Sequence, residues 1–243
     1  MDAIAPDSIH ALSAAERAAI YKCIFTRRDV RSQFRPDPIP DAVLARLLQA
    51  AHHAPSVGFM QPWDFILVRD PQVKQRLHAA FQAANAEAAN LFEGERQSAY
   101  RALKLQGILE APLGLCITCD RSRAGTTVLG RTHQPEMDIY SAVCAVQNLW
   151  LAARAEGIGV GWVSILRYQD LRAALGIPET ILPIAFLCLG YVSEFLPAPE
   201  LESAGWRKRL SLRELVWFDR WQGRAADNAL LPLLEESALH SPK

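Results

Sequence analysis

The apolar positions along this chain repeat with two different periods, which predicts helices interleaved with strands. Apolar residues at helical spacing predict helices over residues 14–25, 40–54, 72–109 (two helices that break near Gly94), 137–156 and 169–175. Continuous apolar runs bounded by polar residues predict buried strands over residues 65–68, 113–118, 160–165 and 184–192. This interleaving, without a linker or an internal repeat, favours one domain of the α/β or α+β class.

Signals at the helix ends refine this picture. Ser13 and Glu16 have the spacing of a capping box, which predicts a helix start at residue 14, and Ser211 with Glu214 predicts a final helix in the same way. Gly157 is typical of a C-terminal helix cap. The helix over residues 137–156 is apolar on all sides, so we expect it to be buried all round and to form the core of a dimer.

Residues 85–109 carry few strong apolar anchors, in contrast to the helices around them. A weakly anchored segment opens at a low free-energy cost, so we predict a lid that could close over a bound ligand. Residues 121–136 contain Gly, Thr and Pro without any periodicity, and they are predicted to form a loop.

The charge balance and the cysteine count narrow the functional classes. The 26 basic and 26 acidic side chains leave a net charge of zero, which argues against nucleic-acid or membrane-surface binding, because both need a one-signed face. Five scattered cysteines are not a disulfide framework and favour a reducing cytoplasm. The chain starts without the basic residues of a signal peptide, and its longest apolar stretch, residues 181–192, is too short to span a bilayer.

Three guanidinium groups crowd into five residues at the end of the first predicted helix. Arg27, Arg28 and Arg31 could hold a phosphate through paired charge-assisted hydrogen bonds, and Arg35 lies nearby. The alternative is a solvated basic turn at the negative end of the preceding helix, which composition alone favours. Asp29 weakens a simple phosphate grip and suggests a positioned acid or base.

Two further patterns resemble known motifs but lack their context. The alternating glycines from Gly157 to Gly161 end a helix and enter a strand, which is the reverse of a dinucleotide fingerprint. At a strand edge they would allow a flat ligand to approach, and Ser164 would point from that strand. Cys116 and Cys119 lie in a strand, where residues three apart face opposite sides, so core packing is expected. The six histidines show no metal-ligand spacing, and no metal is expected.

The loop over residues 54–63 is polar and contains two prolines, Ser56 and Gln61, between a helix and a strand. Ordered loops carry function disproportionately, so the residues support ligand binding and a well-packed connection about equally. Serine hydrolase chemistry would need a strained GxSxG turn, and the sequence contains none.

Taken together, these segments resemble the nitroreductase superfamily, which binds FMN, and within it the 5,6-dimethylbenzimidazole synthase branch. The resemblance covers residues 21–216. Its motifs are residues 27–31, 54–63 and 157–164, with further stretches at 94–96, 100–104, 129–133, 143–150 and 205–207. It implies an α+β, nitroreductase-like FMN-binding fold with a central mixed sheet flanked by helices. Residues 1–243 would form a single domain, in which the parts outside the core are tails.

The resemblance implies a homodimer with two FMN sites at the subunit interface. In that branch reduced FMN and dioxygen are both substrates, and the isoalloxazine ring is cut apart. The products are 5,6-dimethylbenzimidazole, the lower ligand of vitamin B12, and erythrose 4-phosphate. A separate NAD(P)H-dependent flavin reductase supplies the reduced FMN. Neither a metal nor a nucleic acid nor a membrane is implied.

The resemblance also implies a set of FMN-binding residues from the basic segment, the loop, the lid, the strand edge and the C-terminal tail. They are Arg27, Arg28, Asp29, Val30, Arg31, Pro55, Ser56, Arg101, Gly161, Ser164 and Arg209. The arginines of the basic segment match contacts to the phosphate and ribityl chain, and the loop serine matches a contribution from the partner subunit. The strand glycine matches the edge beside the ring. For the tail position near the phosphate, Arg207 and Lys208 are adjacent alternatives.

Asp29 and Ser164 match two polar residues that are associated with ring fragmentation. We hypothesise that Asp29 moves a proton at the ribityl carbon next to the ring and that Ser164 positions the oxygen. One alternative is an NAD(P)H-dependent FMN nitroreductase or flavin reductase, which needs open room over the ring. Another is a non-enzymatic flavin carrier. A closing lid and a carboxylate among the arginines favour fragmentation.

Overall fold

A computed structural model describes residues 11–223 and 229–239. The contacts divide the chain into two compact units. The larger unit comprises residues 26–196 and contains the sheet, and the smaller unit joins the segment before residue 26 to the segment after residue 196. No helix within the described ranges is both long and apolar enough to cross a membrane.

The larger unit is built on a sheet of four strands. These are β1 (Trp63–Val68), β2 (Leu113–Asp120), β3 (Ile158–Trp162) and β4 (Ile181–Tyr191), in the order β1-β2-β4-β3. All three strand pairs are antiparallel, and an isolated bridge between Asp29 and Val160 adds a parallel pairing. The predicted α+β class, with a central sheet flanked by helices, is confirmed.

The helices mostly follow the predicted pattern. In chain order they are α1 (Ala14–Thr26), α2 (Asp41–His52), α3 (Pro71–Ala89), α4 (Gly94–Ala102), α5 (Met137–Ala155), α6 (Tyr168–Leu175), α7 (Glu200–Ser203) and α8 (Leu230–Leu239). The capping box at the start of α1 is present, since the Glu16 carboxylate accepts the Ser13 N–H at 2.8 Å. Gly157 has a φ of 74° just beyond α5, the left-handed conformation of a cap.

The prediction of a final helix that begins near Ser211 is wrong. Residues Leu212–Leu215 form only a short 3-10 turn, and the Ser211 side chain makes no capping hydrogen bond. The chain then turns through Asp219 and Gln222, whose φ values of 62° and 58° are incompatible with a continuing helix. Neither α7 nor α8 was predicted.

The core has one layer on each face of the sheet, and β2 is therefore buried on both faces. Leu115 and Ile117 face a cluster that includes Leu47 of α2 and Leu149 of α5. Cys116, on the opposite face, lies in a second cluster with residues of α3 and α6, among them Leu77. Burial on both faces explains why this strand is a continuous apolar run rather than an alternating one.

In the single chain α5 is not buried on all sides, and its predicted place in the core of a dimer stays a prediction. One face packs on the sheet, but Tyr140 and Val143 are 54% and 38% exposed. Small residues such as Ala142 and Ala145 are fully buried, which lets the helix lie close to the sheet. The apolar composition therefore reflects one buried face and one apolar face that is exposed.

Three of the five cysteine thiols should be unreactive in the folded protein. Burial raises the pKa of Cys116, Cys119 and Cys188 to about 12, so at pH 8 only about one in 10,000 is a thiolate. We expect iodoacetamide to label at most Cys23 and Cys144 at pH 8, as read by mass spectrometry. A guanidinium-unfolded sample, in which all five should react, is the control. Labelling of a third thiol in the native protein would contradict this burial.

Candidate functional site

The basic segment 27–31 leaves α1 and runs alongside β3. The Val30 N–H donates to the Val160 carbonyl at 3.0 Å, and Asp29 pairs with Val160 in the parallel bridge. Val30 itself is buried at 2% exposure. The segment therefore adds an isolated bridge at the free edge of β3, which fixes its backbone relative to the sheet.

Both carboxylate oxygens of Asp29 have partners. Oδ1 accepts the backbone N–H of Trp162 at 2.9 Å, and Oδ2 pairs with Nη2 of Arg31 at 2.6 Å. The Arg31 side chain is only 10% exposed. Asp29 thus connects the end of β3 to a nearly buried arginine, a geometry that no local sequence pattern reveals because its partner lies 133 residues away.

The structure gives the glycines at positions 159 and 161 a steric role other than the expected approach of a flat ligand. A Cβ on Gly161 would lie 2.0 Å from the carbonyl oxygen of Val30, and one on Gly159 would lie 2.4 Å from Cγ1 of Val192. The glycines therefore let the protein's own segments approach the strand. Val30 and Val192 fill the space at these Cβ positions, and the approach of a flat ligand to the strand edge stays a prediction.

Arg27 and Arg28 are positioned by the C-terminal half of α5. The guanidinium of Arg27 lies 5.1 Å from the ring centroid of Trp150, a cation–π geometry. The indole Nε1 of Trp150 donates to the Arg28 carbonyl at 3.2 Å, and Arg154 donates to the Thr26 carbonyl at 3.3 Å. These contacts hold both arginines half-buried beside the end of the sheet.

Ser164 lies beyond the end of β3, because the strand stops at Trp162 rather than at residue 165 as predicted. Its side chain is exposed and borders a cavity of about 160 Å³. Tyr168, Leu171 and Phe186 contribute to the same wall. Ser164 therefore lies two residues along the chain from Trp162, whose backbone N–H donates to Asp29.

The loop that carries Pro55 and Ser56 is tightly folded. The Ser56 hydroxyl accepts the N–H of Gln61 at 3.1 Å, and Ser141 of α5 accepts the N–H of Val57 at 3.0 Å. Gln61 has a φ of 46°, in the left-handed region that is unfavourable for residues other than glycine. Pro55 and Ser56 also border a cavity of about 290 Å³ against Met137, Tyr140 and Cys144.

The two parts of the predicted site contact opposite ends of α5. Ser141 holds the Ser56 loop, whereas Trp150 holds the basic segment. Nine helical residues separate these contacts, which is about 14 Å along the helix axis. The structure therefore brings together the basic segment, Gly161 and the region of Ser164, but the Ser56 loop lies apart from them.

The weakly anchored segment is shorter in the structure than the predicted residues 85–109, and its role as a lid stays a prediction. Tyr100 is the buried residue of α4; it donates to Asn85 at 2.8 Å and stacks on Phe92 with ring centroids 5.0 Å apart. Residues 106–108 are buried instead, and a Cβ on Gly107 would lie 2.6 Å from the Arg31 carbonyl oxygen. The weakly anchored segment thus ends before residue 106.

The remaining predicted binding residues lie outside these groups. Arg101 is exposed in the last turn of α4. Arg209 is exposed within the smaller unit, as are its adjacent alternatives Arg207 and Lys208. Whether any of them touches FMN stays a prediction.

Sequence reasoning missed Arg123 and Asp138. Arg123 lies in the loop without periodicity, so no signal could have pointed to it. Asp138 is fully buried and carries a signal, because its spacing places a carboxylate on the buried face of α5 with Ala142 and Ala145. Within the part of the chain that the structure describes, no group of three or more His, Cys, Asp or Glu side chains is arranged to hold a metal.

The Nitroreductase family model matches residues 24–191. A 5,6-dimethylbenzimidazole synthase from Rhodospirillum rubrum is 48% identical over 75% of this chain and 86% of the relative. One from Rhodobacter capsulatus is 43% identical over 80% of this chain and 93% of the relative.

Solved structures resemble the fold at lower identity. An oxidized iodotyrosine deiodinase bound to FMN and 3-iodo-L-tyrosine superposes with a TM-score of 0.66 at 20% identity, over 83% of this chain and 100% of that one. Nitroreductase A from Vibrio parahaemolyticus gives a TM-score of 0.61 at 19% identity, over 90% of this chain and 82% of that one. At these identities the likeness concerns the fold alone.

Proposed function

Because the chain belongs to the nitroreductase family, we propose that it converts reduced FMN and dioxygen into 5,6-dimethylbenzimidazole, the lower ligand of vitamin B12, and erythrose 4-phosphate. The observation that carries this proposal is the high identity to the relatives named 5,6-dimethylbenzimidazole synthase, over most of both chains. The motifs of the basic segment and the strand edge lie within the matched ranges and give that likeness a chemical basis.

The donor set suits FMN. Three guanidinium groups in the basic segment can neutralise a phosphate, and Ser164, exposed beyond the end of β3, offers a hydroxyl to the same ligand. We assign contacts with FMN to Arg27, Arg28, Asp29, Val30, Arg31, Pro55, Ser56, Arg101, Gly161, Ser164 and Arg209. Of these, the arginines of the segment would hold the phosphate and ribityl chain.

The proposal includes a homodimer whose FMN sites lie at the interface. The separation of the Ser56 loop from the basic segment within one chain supports it, since a partner subunit could supply that loop. The exposed apolar side chains near the loop support it as well: Phe59 is 82% and Leu129 is 85% exposed, and Tyr140 lies on α5 nearby. Such a patch on a single chain is typical of a partner contact.

Asp29 and Ser164 have distinct roles in the proposed reaction. Reduced flavin supplies the electrons that activate dioxygen. The Asp29 carboxylate, whose Oδ1 accepts from Trp162 and whose Oδ2 pairs with Arg31, would accept a proton at the ribityl carbon next to the ring. The exposed Ser164 hydroxyl would orient the oxygen, and α4 would limit the entry of water.

The supply of substrates completes the proposal. A separate NAD(P)H-dependent flavin reductase would deliver reduced FMN, since a lid over the ring leaves no room for nicotinamide. We also propose a cytoplasmic location, which the free state of the cysteines Cys23, Cys116, Cys119, Cys144 and Cys188 supports.

A single turnover tests this function directly. Protein mixed with one equivalent of reduced FMN and then exposed to air should yield 5,6-dimethylbenzimidazole, identified by chromatography and mass spectrometry, and an anaerobic sample should yield none. Quantitative recovery of oxidised FMN would contradict the proposal. In a parallel assay with FMN and NADH but no added reductase, rapid loss of NADH absorbance would favour the nitroreductase alternative.

A further inference from the structure

We propose that Arg123 is a positioning residue that holds the Ser56 loop in the conformation required to bind FMN. The inference rests on the proposed function, because it takes the loop as part of the FMN site. Arg123 lies in the loop between β2 and α5, outside every motif of the family resemblance. What singles it out is the set of groups that its guanidinium holds.

The Arg123 guanidinium joins the end of the Ser56 loop to the start of β1. Nη1 donates to the carbonyls of Gln61 and Trp63 at 2.9 and 2.7 Å, and Nη2 contacts both carboxylate oxygens of Asp64 at 2.7 and 2.6 Å. The side chain is 33% exposed. Four hydrogen bonds from one planar group fix the direction in which the loop enters the strand.

The residue that Arg123 holds is the same residue that holds Ser56. The N–H of Gln61 donates to the Ser56 hydroxyl at 3.1 Å, and the carbonyl of Gln61 accepts a hydrogen bond from Arg123. Its left-handed φ of 46° is unfavourable for a residue with a side chain, so the surrounding structure must stabilise it. Arg123 therefore acts on the Ser56 side chain through one residue, Gln61, whose backbone conformation is strained.

The segment after Arg123 supports the other end of the loop. A Cβ on Gly58 would lie 2.7 Å from Cγ1 of Val128 and 3.0 Å from the Leu129 carbonyl oxygen. A Cβ on Gly130 would lie 3.2 Å from Cγ2 of Val57. Residues 123–130 thus contact the Ser56 loop at its start and at its end.

A buried carboxylate anchors that supporting segment. Asp138, with no exposed surface, pairs with Nε of Arg121 at 2.9 Å and with Nη1 of Arg131 at 3.2 Å. Arg131 also donates to the Arg121 carbonyl at 2.7 Å, which closes the segment into a loop fixed at both ends. Because Asp138 belongs to α5, these ion pairs attach the segment to that helix and fix the position of the Arg123 backbone.

Arg123→Ala tests the role through binding and turnover together. We expect the Kd for oxidised FMN, measured by quenching of flavin fluorescence, to rise at least about 10-fold. The KM for reduced FMN should rise in parallel while kcat stays within about 2-fold, because no reacting group is removed. Arg123→Lys keeps the charge but not the planar fork, and it should recover only part of the affinity.

Arg69→Ala is the matched control. Arg69 follows the other end of β1 and pairs with Asp41 at 2.9 Å through one exposed ion pair, so its loss removes an arginine–aspartate contact without touching the Ser56 loop. A Kd for Arg123→Ala equal to that of Arg69→Ala would overturn the proposal, as would a loss of affinity explained by unfolding in a thermal melt. If the wild type binds FMN but makes no 5,6-dimethylbenzimidazole, the proposed function fails while the Kd comparison still decides the role of Arg123.

Discussion

Asp29→Asn is expected to slow 5,6-dimethylbenzimidazole formation by at least about 100-fold, the scale of general acid–base catalysis, while FMN binding is retained. The amide oxygen of Asn can still accept the N–H of Trp162, so the end of β3 should keep its geometry. The substitution removes the basic carboxylate that would take the ribityl proton, and it also removes the charge that pairs with Arg31. Single-turnover product formation and FMN titration together measure the two effects.

Asp37→Asn is the control for that experiment. Asp37 pairs with Arg35 at 2.8 Å, and the two residues have the same sequence separation as Asp29 and Arg31, but the pair is exposed. The control should form product at the wild-type rate. Undiminished product formation by Asp29→Asn would refute the catalytic role, and loss of FMN binding together with stability would assign Asp29 a structural role instead.

Gly161→Ala is expected to lower the free energy of unfolding by about 2–3 kcal/mol, the upper part of the range for forcing an atom into a packed site. The new Cβ would lie 2.0 Å from the Val30 carbonyl oxygen, and β4 pairs with this residue on the other side, so the basic segment must move. FMN affinity should fall at least about 10-fold because Arg31 moves with it. Denaturant unfolding and FMN titration measure both quantities.

Gly125→Ala separates this steric effect from a general cost of replacing glycine. Gly125 has open space at its Cβ position and a φ of 84°, so its replacement adds only backbone strain, about 1–2 kcal/mol. The control should bind FMN normally. Wild-type stability and FMN affinity in Gly161→Ala would mean that the basic segment is not held against β3 as the structure has it.

The proposed lid ends at residues that pack against the basic segment. Residues 106–108 are buried, and Gly107 packs against the Arg31 carbonyl and the ring of Phe34. Between α3 and this boundary, α4 contributes a single buried side chain, Tyr100. A moving α4 would therefore pivot at residues 106–108, which pack on the proposed phosphate-binding segment. Closure of the lid would in this way affect the binding site.

The sequence alone determined most secondary structure because those signals are local. The apolar run of β2 reflects burial on both faces, and the break at Gly94 separates α3 from α4 as predicted. The basic segment, the Ser56 loop and the strand glycines also stand out in the sequence, and the family match confirms the resemblance that joins them, whereas their contacts with FMN stay a prediction. The helix from Ser211 failed because a capping-box spacing predicts a start but not the turn at Asp219.

Only the tertiary structure decided what these segments do to one another. Asp29 meets Trp162 across 133 residues, Val30 occupies the space beside Gly161, and Arg123 holds Gln61 across 62. Such contacts depend on how strands and loops are brought together by the core, and no periodicity along the chain encodes them. The exposed face of α5 belongs to the same class, since composition reports that a side is apolar but not what covers it.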